Sequence, residues 1–356
     1  MTRRGSRPLD VAELVERARQ GQPRAVARLI SLVEDAAPPG TGSGSDGARG
    51  QLREVAAALA AHTGRAQVIG LTGAPGVGKS TSAGVLVGAL RKAGKRVGVL
   101  AVDPSSPFSG GALLGDRIRM QGHALDDGVF IRSMATRGHL GGIAWATPQA
   151  LRVLDAAGCD VVLVETVGVG QSEVEVISLV DTTLVLLAPG TGDGVQAAKA
   201  GILEVADVFV VNKADRDGAD QTVRDLEHMI SLGRREQLSR DEQEGASWCP
   251  PIVRTVASKG EGADDVIDAI EQHRSWMLSG GKLDTRRARR AEAEIEAIAL
   301  GQLRCELGDL RRGNALPGLA NRVVAGELDP YRAADDLVSE LGTRAGPGPR
   351  PLSPPS

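Results

Sequence analysis

The sequence predicts an α/β fold: a doubly wound, mostly parallel sheet with N-terminal and C-terminal helical extensions. Three observations carry this. Short runs rich in Val, Ile and Leu alternate with helical patterns through the middle of the chain, as strands buried on both faces of a parallel sheet require. A glycine-rich turn separates the first of these runs from a helical segment. Aromatic residues are only 2% of the chain against 42% hydrophobic overall, so Leu, Val, Ile and Ala must fill the core. At 356 residues, one large core with appendages is expected, because single cores stop growing near ~250 to 300 residues.

In chain order, Leu14, Val15 and Ala18 and then Val26, Leu29, Ile30 and Val33 have helical spacing, broken by the GQP of Gly21 to Pro23. Two short helices follow from that break. The stretch 36–50 is rich in Pro, Gly and Ser and cannot bury a face, so a flexible linker is expected there, followed by a helix near Leu52 to His62. Residues 1–62 thus form an N-terminal helical extension. Within 63–275 the strand-like runs are Ala66 to Leu71, Arg96 to Val102, Val129 to Arg132, Asp160 to Glu165, Thr182 to Ala188, Val208 to Asn212 and Ile252 to Val256. Residues 276–341 read as charged helices, Thr285 to Gly308 and a second pattern from Leu316 through Tyr331 to Leu341. Their apolar stripes exceed what the first core can cover and are available to a partner subunit. The proline-rich tail 342–356 is expected to be disordered.

Lys plus Arg total 42 against 45 Asp plus Glu, and the resulting charge of -3 offers no field to attract nucleic acid or an anionic membrane. No apolar stretch reaches the ~20 residues of a membrane-spanning helix. The basic start, MTRRGSRPLD, leads into Asp10, Glu13 and Glu16, which fits neither a secretory signal nor an acid-poor transit peptide, so a cytoplasmic protein is expected. Cys159, Cys249 and Cys305 have neither paired spacing nor a CxxC knuckle, which argues against a disulfide framework or a thiolate metal site.

The most specific signal is GAPGVGKS, Gly73 to Ser80, placed between a strand and a helix. Gly73, Gly76 and Gly78 let backbone N–H groups converge on phosphate oxygens, and the helix N-terminus adds partial positive charge. Lys79 is expected to neutralise β and γ phosphates and Ser80 to ligate Mg2+. Ala74, Pro75, Val77 and Thr81 complete the candidate nucleotide contacts.

The strand Val208 to Val211 ends in NKAD, Asn212 to Asp215. A carboxylate at Asp215 accepts paired hydrogen bonds from the guanine N1–H and exocyclic amine, which adenine cannot supply. Asn212 and Lys213 join it as base-reading candidates, so GTP and GDP are the expected nucleotides. Asp103 and Glu165 each end a strand at the C-terminal sheet edge, where ligands of open α/β folds bind, and are candidates for Mg2+ or its waters. Gly168, in ETVG, stands where many GTPases place a γ-phosphate-contacting glycine, and Asp116 is a further Mg2+ candidate. No Gln follows Gly168 directly, since Val169 and Gly170 precede Gln171, so slow intrinsic turnover is expected, completed by a rearranged loop or a partner. Arg119, Arg137, Gln196 and Lys199 are the candidate supports.

Several long stretches resemble the MeaB family of P-loop GTPases, which includes the methylmalonic aciduria type A protein and sequences once labelled as an arginine transport kinase. They are GAPGVGKST, VDPSSPFSGGALLGDRIRM, RSMATRGHLGG, DVVLVETVGVGQSEVEV and GDGVQAAKAGILEVADVFVVNKAD. The flanks GQPRAVARLISLVE and ANRVVAGELDPYRAADDL are also similar, so the likeness spans roughly residues 10 to 341. The resemblance implies a GTP-dependent chaperone of an adenosylcobalamin-dependent acyl-CoA mutase, most often methylmalonyl-CoA mutase, that gates cofactor loading, protects the mutase and dimerises through its C-terminal helices. It further implies that Lys79, Ser80, Asp103, Asp116 and Glu165 form the phosphate and Mg2+ site. By the same resemblance Gly190 to Lys199 is a mobile loop with Gln196 and Lys199 as active members. The sequence departs from the pattern at TVASKGEG, where Val256 and Ala257 replace the usual Ser-Ala loop that touches guanine O6.

Two other readings compete. A GTPase that inserts a metal such as nickel would need a soft-ligand cluster, yet His62, His123, His139, His228, His273 and the cysteines are scattered. A P-loop kinase fits the phosphate loop, but NKAD argues for guanine over ATP.

Overall fold

The computed structural model describes residues 10–35, 46–103, 120–123, 125–135, 139–140, 143–144, 146–166, 178–190, 205–240, 247–312 and 315–344. These fall into two compact units divided between Ala293 and Glu294.

The first unit is built on a seven-stranded, all-parallel sheet in the order β3-β2-β6-β1-β7-β8-β9. The strands are β1 (Gln67–Gly73), β2 (Val97–Asp103), β3 (Val129–Ala135), β6 (Val161–Thr166), β7 (Thr182–Leu187), β8 (Val208–Asn212) and β9 (Ile252–Thr255). A short antiparallel pair, β4 (His139–Leu140) with β5 (Ile143–Ala144), lies outside it. All seven runs expected from sequence are strands, each within two or three residues of the expected ends. Their continuous apolar character follows from helices on both faces: every residue of β1, β6, β7 and β8 is buried.

Period two divides the strands between two faces. Ile69, Leu71, Val97, Val99, Leu163, Leu184, Leu186 and Val210 pack against α4 (Lys79–Lys92) and α7 (Ala263–Ser279). Val68, Leu100, Val102, Met134, Val162 and Val164 face the other way, onto α1 (Val11–Arg19), α2 (Pro23–Asp35), α3 (Asp46–Ala60) and α5 (Thr147–Ala156). Phe209 and Val211 on that side meet α6 (Ala219–Arg240).

The N-terminal helices therefore complete one face of the sheet. Val11, Val15, Val26, Leu29, Ile30 and Val33 are at most 4% exposed. Arg132 on the edge strand β3 ties α2 down by an ion pair to Glu34 and a 3.1 Å hydrogen bond to Ser31 Oγ. Helix α3 begins at Asp46, inside the stretch where a linker is expected, because Leu52, Val55 and Leu59 gain a place in this core. The break between α1 and α2 follows the sequence: Gly21 has φ +75°, and Pro23 opens α2, where no N–H is needed.

The opposite, N-terminal edge of the sheet is closed by α8 (Lys282–Arg312), whose first turns belong to this unit. Asp181, 2% exposed, takes Arg287 Nη2 at 2.7 Å, Arg290 Nη2 at 3.3 Å and the Val68 amide at 3.0 Å. Arg286 reaches Asp207 Oδ2 at 3.0 Å, and Asp207 also faces the buried His273 Nε2 at 3.3 Å. Burial holds the His273 imidazole below its ordinary value, with Trp276 stacked on it and Trp248 tilted against it.

In the second unit, α8 continues to Arg312 and is followed by α9 (Ala315–Val324) and α10 (Pro330–Arg344). Asp329 caps α10 through the Tyr331 and Arg332 amides, both at 3.0 Å. Ile295, Leu303, Val324, Tyr331 and Val338 are exposed. Among the described residues no helix is long and apolar enough to cross a membrane, and all three cysteines are free. Burial pushes the Cys159 thiol up to about 12, as an inert core residue requires.

Candidate functional site

Strand order reverses at β1: β6 and β2 lie to one side, β7 and β8 to the other. This is the switch point at which the C-terminal ends of parallel strands leave a crevice. The parallel registers bring the relevant ends together, pairing Leu71 with Glu165, Gly73 with Leu186 and Asn212 with Thr255.

The phosphate loop runs from Gly73, the last residue of β1, into α4. Gly73 has φ +142°, and a Cβ there would lie 2.2 Å from the Leu186 carbonyl oxygen, so only glycine lets the loop leave beside β7. Gly78, the N-cap of α4, has φ +101°, and a Cβ would meet the Asn212 side-chain amide at 2.4 Å. Val77, 1% exposed, pins the loop while Pro75, Gly76 and Thr81 face outward. Ala74 is half-buried against the core of the α4 face.

Lys79 is buried, and its Nζ donates to the Gly73 and Ala74 carbonyls at 2.6 and 3.1 Å. Its ammonium is thus held under the loop by acceptors that a phosphate can replace. Ser80, also buried, donates through Oγ to Glu165 Oε1 at 2.5 Å. A hydroxyl and a carboxylate so close, beside a phosphate loop, form a hard-oxygen pair of the kind Mg2+ takes together with phosphate oxygens and water. Thr166 follows Glu165 and accepts its place by donating to the Leu71 carbonyl at 3.3 Å. Asp103 ends β2 at the same sheet edge, in the strand adjacent to β6. Among the described residues no cluster of three His, Cys, Asp or Glu forms a metal cage.

The base-side motif is strapped to this loop. Asn212, 2% exposed, donates from Nδ2 to the Val77 carbonyl at 2.8 Å, and its Oδ1 accepts from the Ala257 amide at 3.0 Å and Thr255 Oγ1 at 3.2 Å. Lys213, in the left-handed region at φ 57°, reaches the Gly76 carbonyl at 2.6 Å. Asp215 is exposed, and Lys259 Nζ lies 3.1 Å from its Oδ2. The Lys259 ammonium holds the Asp215 carboxyl below the usual carboxylate range.

Of the residues selected from sequence, the structure brings together Gly73 to Thr81, Glu165, Asn212, Lys213, Asp215 and Ala257, with Asp103 at the same edge. Asp116, Gly168, Gln196 and Lys199 lie outside the described residues, as do Arg119 and Arg137. At the base loop the Ala257 amide donates to Asn212 Oδ1, and the Val256 amide donates to the Glu261 carbonyl at 3.1 Å. Asn212 acts as the tie between three loops. Sequence reading missed Thr255 and Lys259. The signal for Lys259 was its place in SKG just past the departing TVA, which does not reveal that its ammonium reaches Asp215.

The model of the family described as "Methylmalonyl Co-A mutase-associated GTPase MeaB" matches residues 26–307. A protein of Pyrococcus abyssi named as a GTPase is 45% identical over 332 residues, covering 93% of this chain and 97% of that one. The mouse protein named "Methylmalonic aciduria type A homolog, mitochondrial" is 36% identical over 284 residues, 78% of this chain and 66% of that one. A crystal structure of an LAO/AO transport system kinase superposes with a TM-score of 0.65 at 25% identity, covering 96% and 99% of the two chains. The seven-stranded parallel sheet is accordingly that of a P-loop GTPase with helical extensions. Sequence likeness and the joined phosphate and base loops agree on one chemistry: the chain belongs to the MeaB family and is a GTPase.

Proposed function

We propose that this GTPase serves an adenosylcobalamin-dependent acyl-CoA mutase, with methylmalonyl-CoA mutase the leading candidate, gating cofactor loading and protecting the mutase through its nucleotide state. The observation that carries this reading is the match of a mutase-associated GTPase family across residues 26–307, supported by the name of the mouse relative. In this reading Lys79 exchanges its loop carbonyls for the β and γ phosphates and stabilises the charge that develops on them during hydrolysis. Ser80 and Glu165, with Asp103 and Asp116, hold Mg2+, which screens phosphate charge when bound. Gly168 contacts the γ phosphate, and Gln196 and Lys199 belong to a loop that the mutase rearranges to complete the site. The protein acts in the cytoplasm as a homodimer, for which the exposed Ile295, Leu303, Val324, Tyr331 and Val338 of the second unit offer apolar surface.

The test is to add purified adenosylcobalamin-dependent mutases to the GTPase assay. The expected result is a rise in turnover on the order of tenfold or more with the true client, because a partner completes a site that lacks a water-orienting Gln after Gly168. If methylmalonyl-, isobutyryl- and ethylmalonyl-CoA mutases all fail to bind the GTP-analogue-loaded protein or to stimulate it, the mutase assignment is wrong.

The base assignment has its own test. Asp215→Asn is expected to lower GDP affinity about 10- to 100-fold and to raise that for xanthosine diphosphate, whose C2 oxygen suits an amide donor. Competition binding reads both, and unchanged GDP selectivity removes Asp215 from base recognition.

A further inference from the structure

The carboxylate assigned to the base, Asp215, is engaged within the chain by Lys259 Nζ at 3.1 Å. Two backbone straps set this up: the Ala214 amide donates to the Thr255 carbonyl at 3.0 Å, and the Ala257 amide to Asn212 Oδ1 at 3.0 Å. They hold the NKAD turn against the 3-10 turn Ala257–Lys259. That turn is closed by the Lys259 amide on the Val256 carbonyl at 2.8 Å and by Gly260 at φ +76°. The Lys259 side chain is 54% exposed, and its Nζ sits 3.1 Å from Asp215 Oδ2. A lysine ammonium offers hydrogen-bond donors and no acceptor, the same face that guanine presents at N1–H and its exocyclic amine.

We propose that Lys259 is an internal competitor of the guanine base: its ammonium pairs with the Asp215 carboxylate that the base needs, and nucleotide entry requires that ion pair to open. The proposal rests on Asp215 reading guanine. It follows the pattern of the whole site, where Lys79 on Gly73 and Ala74 and Lys213 on Gly76 likewise satisfy loop groups. Lys259 differs because its partner is the base-reading carboxylate itself. The effect of an exposed pair is small, so Lys259 acts as a latch on entry and adds no lasting barrier.

The experiment compares GDP binding to the full-length wild type, Lys259→Met and Asp215→Asn, by calorimetry and by stopped-flow with a fluorescent GDP. Lys259→Met keeps most of the aliphatic stem and removes the charge. At about 50 mM salt it is expected to bind GDP two- to five-fold tighter, mostly through faster association. At about 0.5 M salt, where the pair is screened in the wild type, the two proteins converge. Equal or weaker GDP binding by Lys259→Met at low salt overturns the proposal, as does a gain that persists undiminished at high salt. If Asp215→Asn loses GDP and gains xanthosine diphosphate while Lys259→Met gains nothing, the latch alone fails. If Asp215→Asn leaves GDP affinity unchanged, the base reading fails and the latch with it.

Discussion

Lys79→Ala lowers GTP turnover about 10²- to 10³-fold, the cost of removing one preorganised charge from a developing transition state. The residue is 7% exposed, and its Nζ is held within 3.1 Å of two loop carbonyls, so the cation is fixed at the loop itself. Alanine leaves Gly73 and Ala74 without that donor, so the loop loses the group that organises it as well as the charge. The measurement is single-turnover GTP hydrolysis alongside thermal melting and sedimentation. Folding and oligomeric state are expected to persist, because the core of the α4 face rests on Ala83, Leu86, Val87 and Leu90 and does not include Lys79. A rate within threefold of the wild type removes Lys79 from the mechanism.

The second large effect lies at the other end of the sheet and concerns stability. Asp181→Ala leaves the Arg287 and Arg290 guanidiniums, each less than a quarter exposed, without their carboxylate and deprives the Val68 amide of an acceptor. Removing one partner of a buried ion pair costs about 3 to 5 kcal/mol, and we expect the lower end because both arginines retain some solvent, Arg287 keeps the Gly64 and Ala66 carbonyls and Arg290 the Leu179 carbonyl. In a protein of this size that is a loss on the order of 5 to 10 °C in melting temperature. Asp181→Asn keeps an acceptor for Val68 and is expected to lose less. GTP hydrolysis by the folded fraction should hold, since the cluster sits at the strand edge opposite the phosphate loop. Melting within 2 °C of the wild type for Asp181→Ala would show that the clamp contributes little.

Local signals were legible where the chemistry is local. Continuous Val and Leu over Val161 to Val164 read as a strand buried on both faces, and GAPGVGKS between strand and helix as a turn whose amides converge. NKAD stood out because it is contiguous and directly follows a strand, the place the structure gives it at the end of β8. The linker expected over 36–50 was drawn too long, since Gly and Ser in that stretch say nothing about Leu52, Val55 and Leu59 finding a core to extend α3 back to Asp46. The N-terminal helices looked like an appendage because their amphipathic pattern does not name the surface they cover.

The sequence by itself determined the strands, the glycine-rich loop and the NKAD turn, since each is written in contiguous residues whose spacing the backbone geometry constrains. Tertiary structure alone decided which groups those residues meet. Parallel pairing of β8 with β9 sets Asn212 beside Thr255 and Ala257 and brings Lys259 to Asp215. The docking of α8 under β7 gives Asp181 its two arginines across more than a hundred positions of chain. Contacts of that range depend on strand order and register, which are set by the packing of the entire sheet and leave no mark on the neighbouring residues.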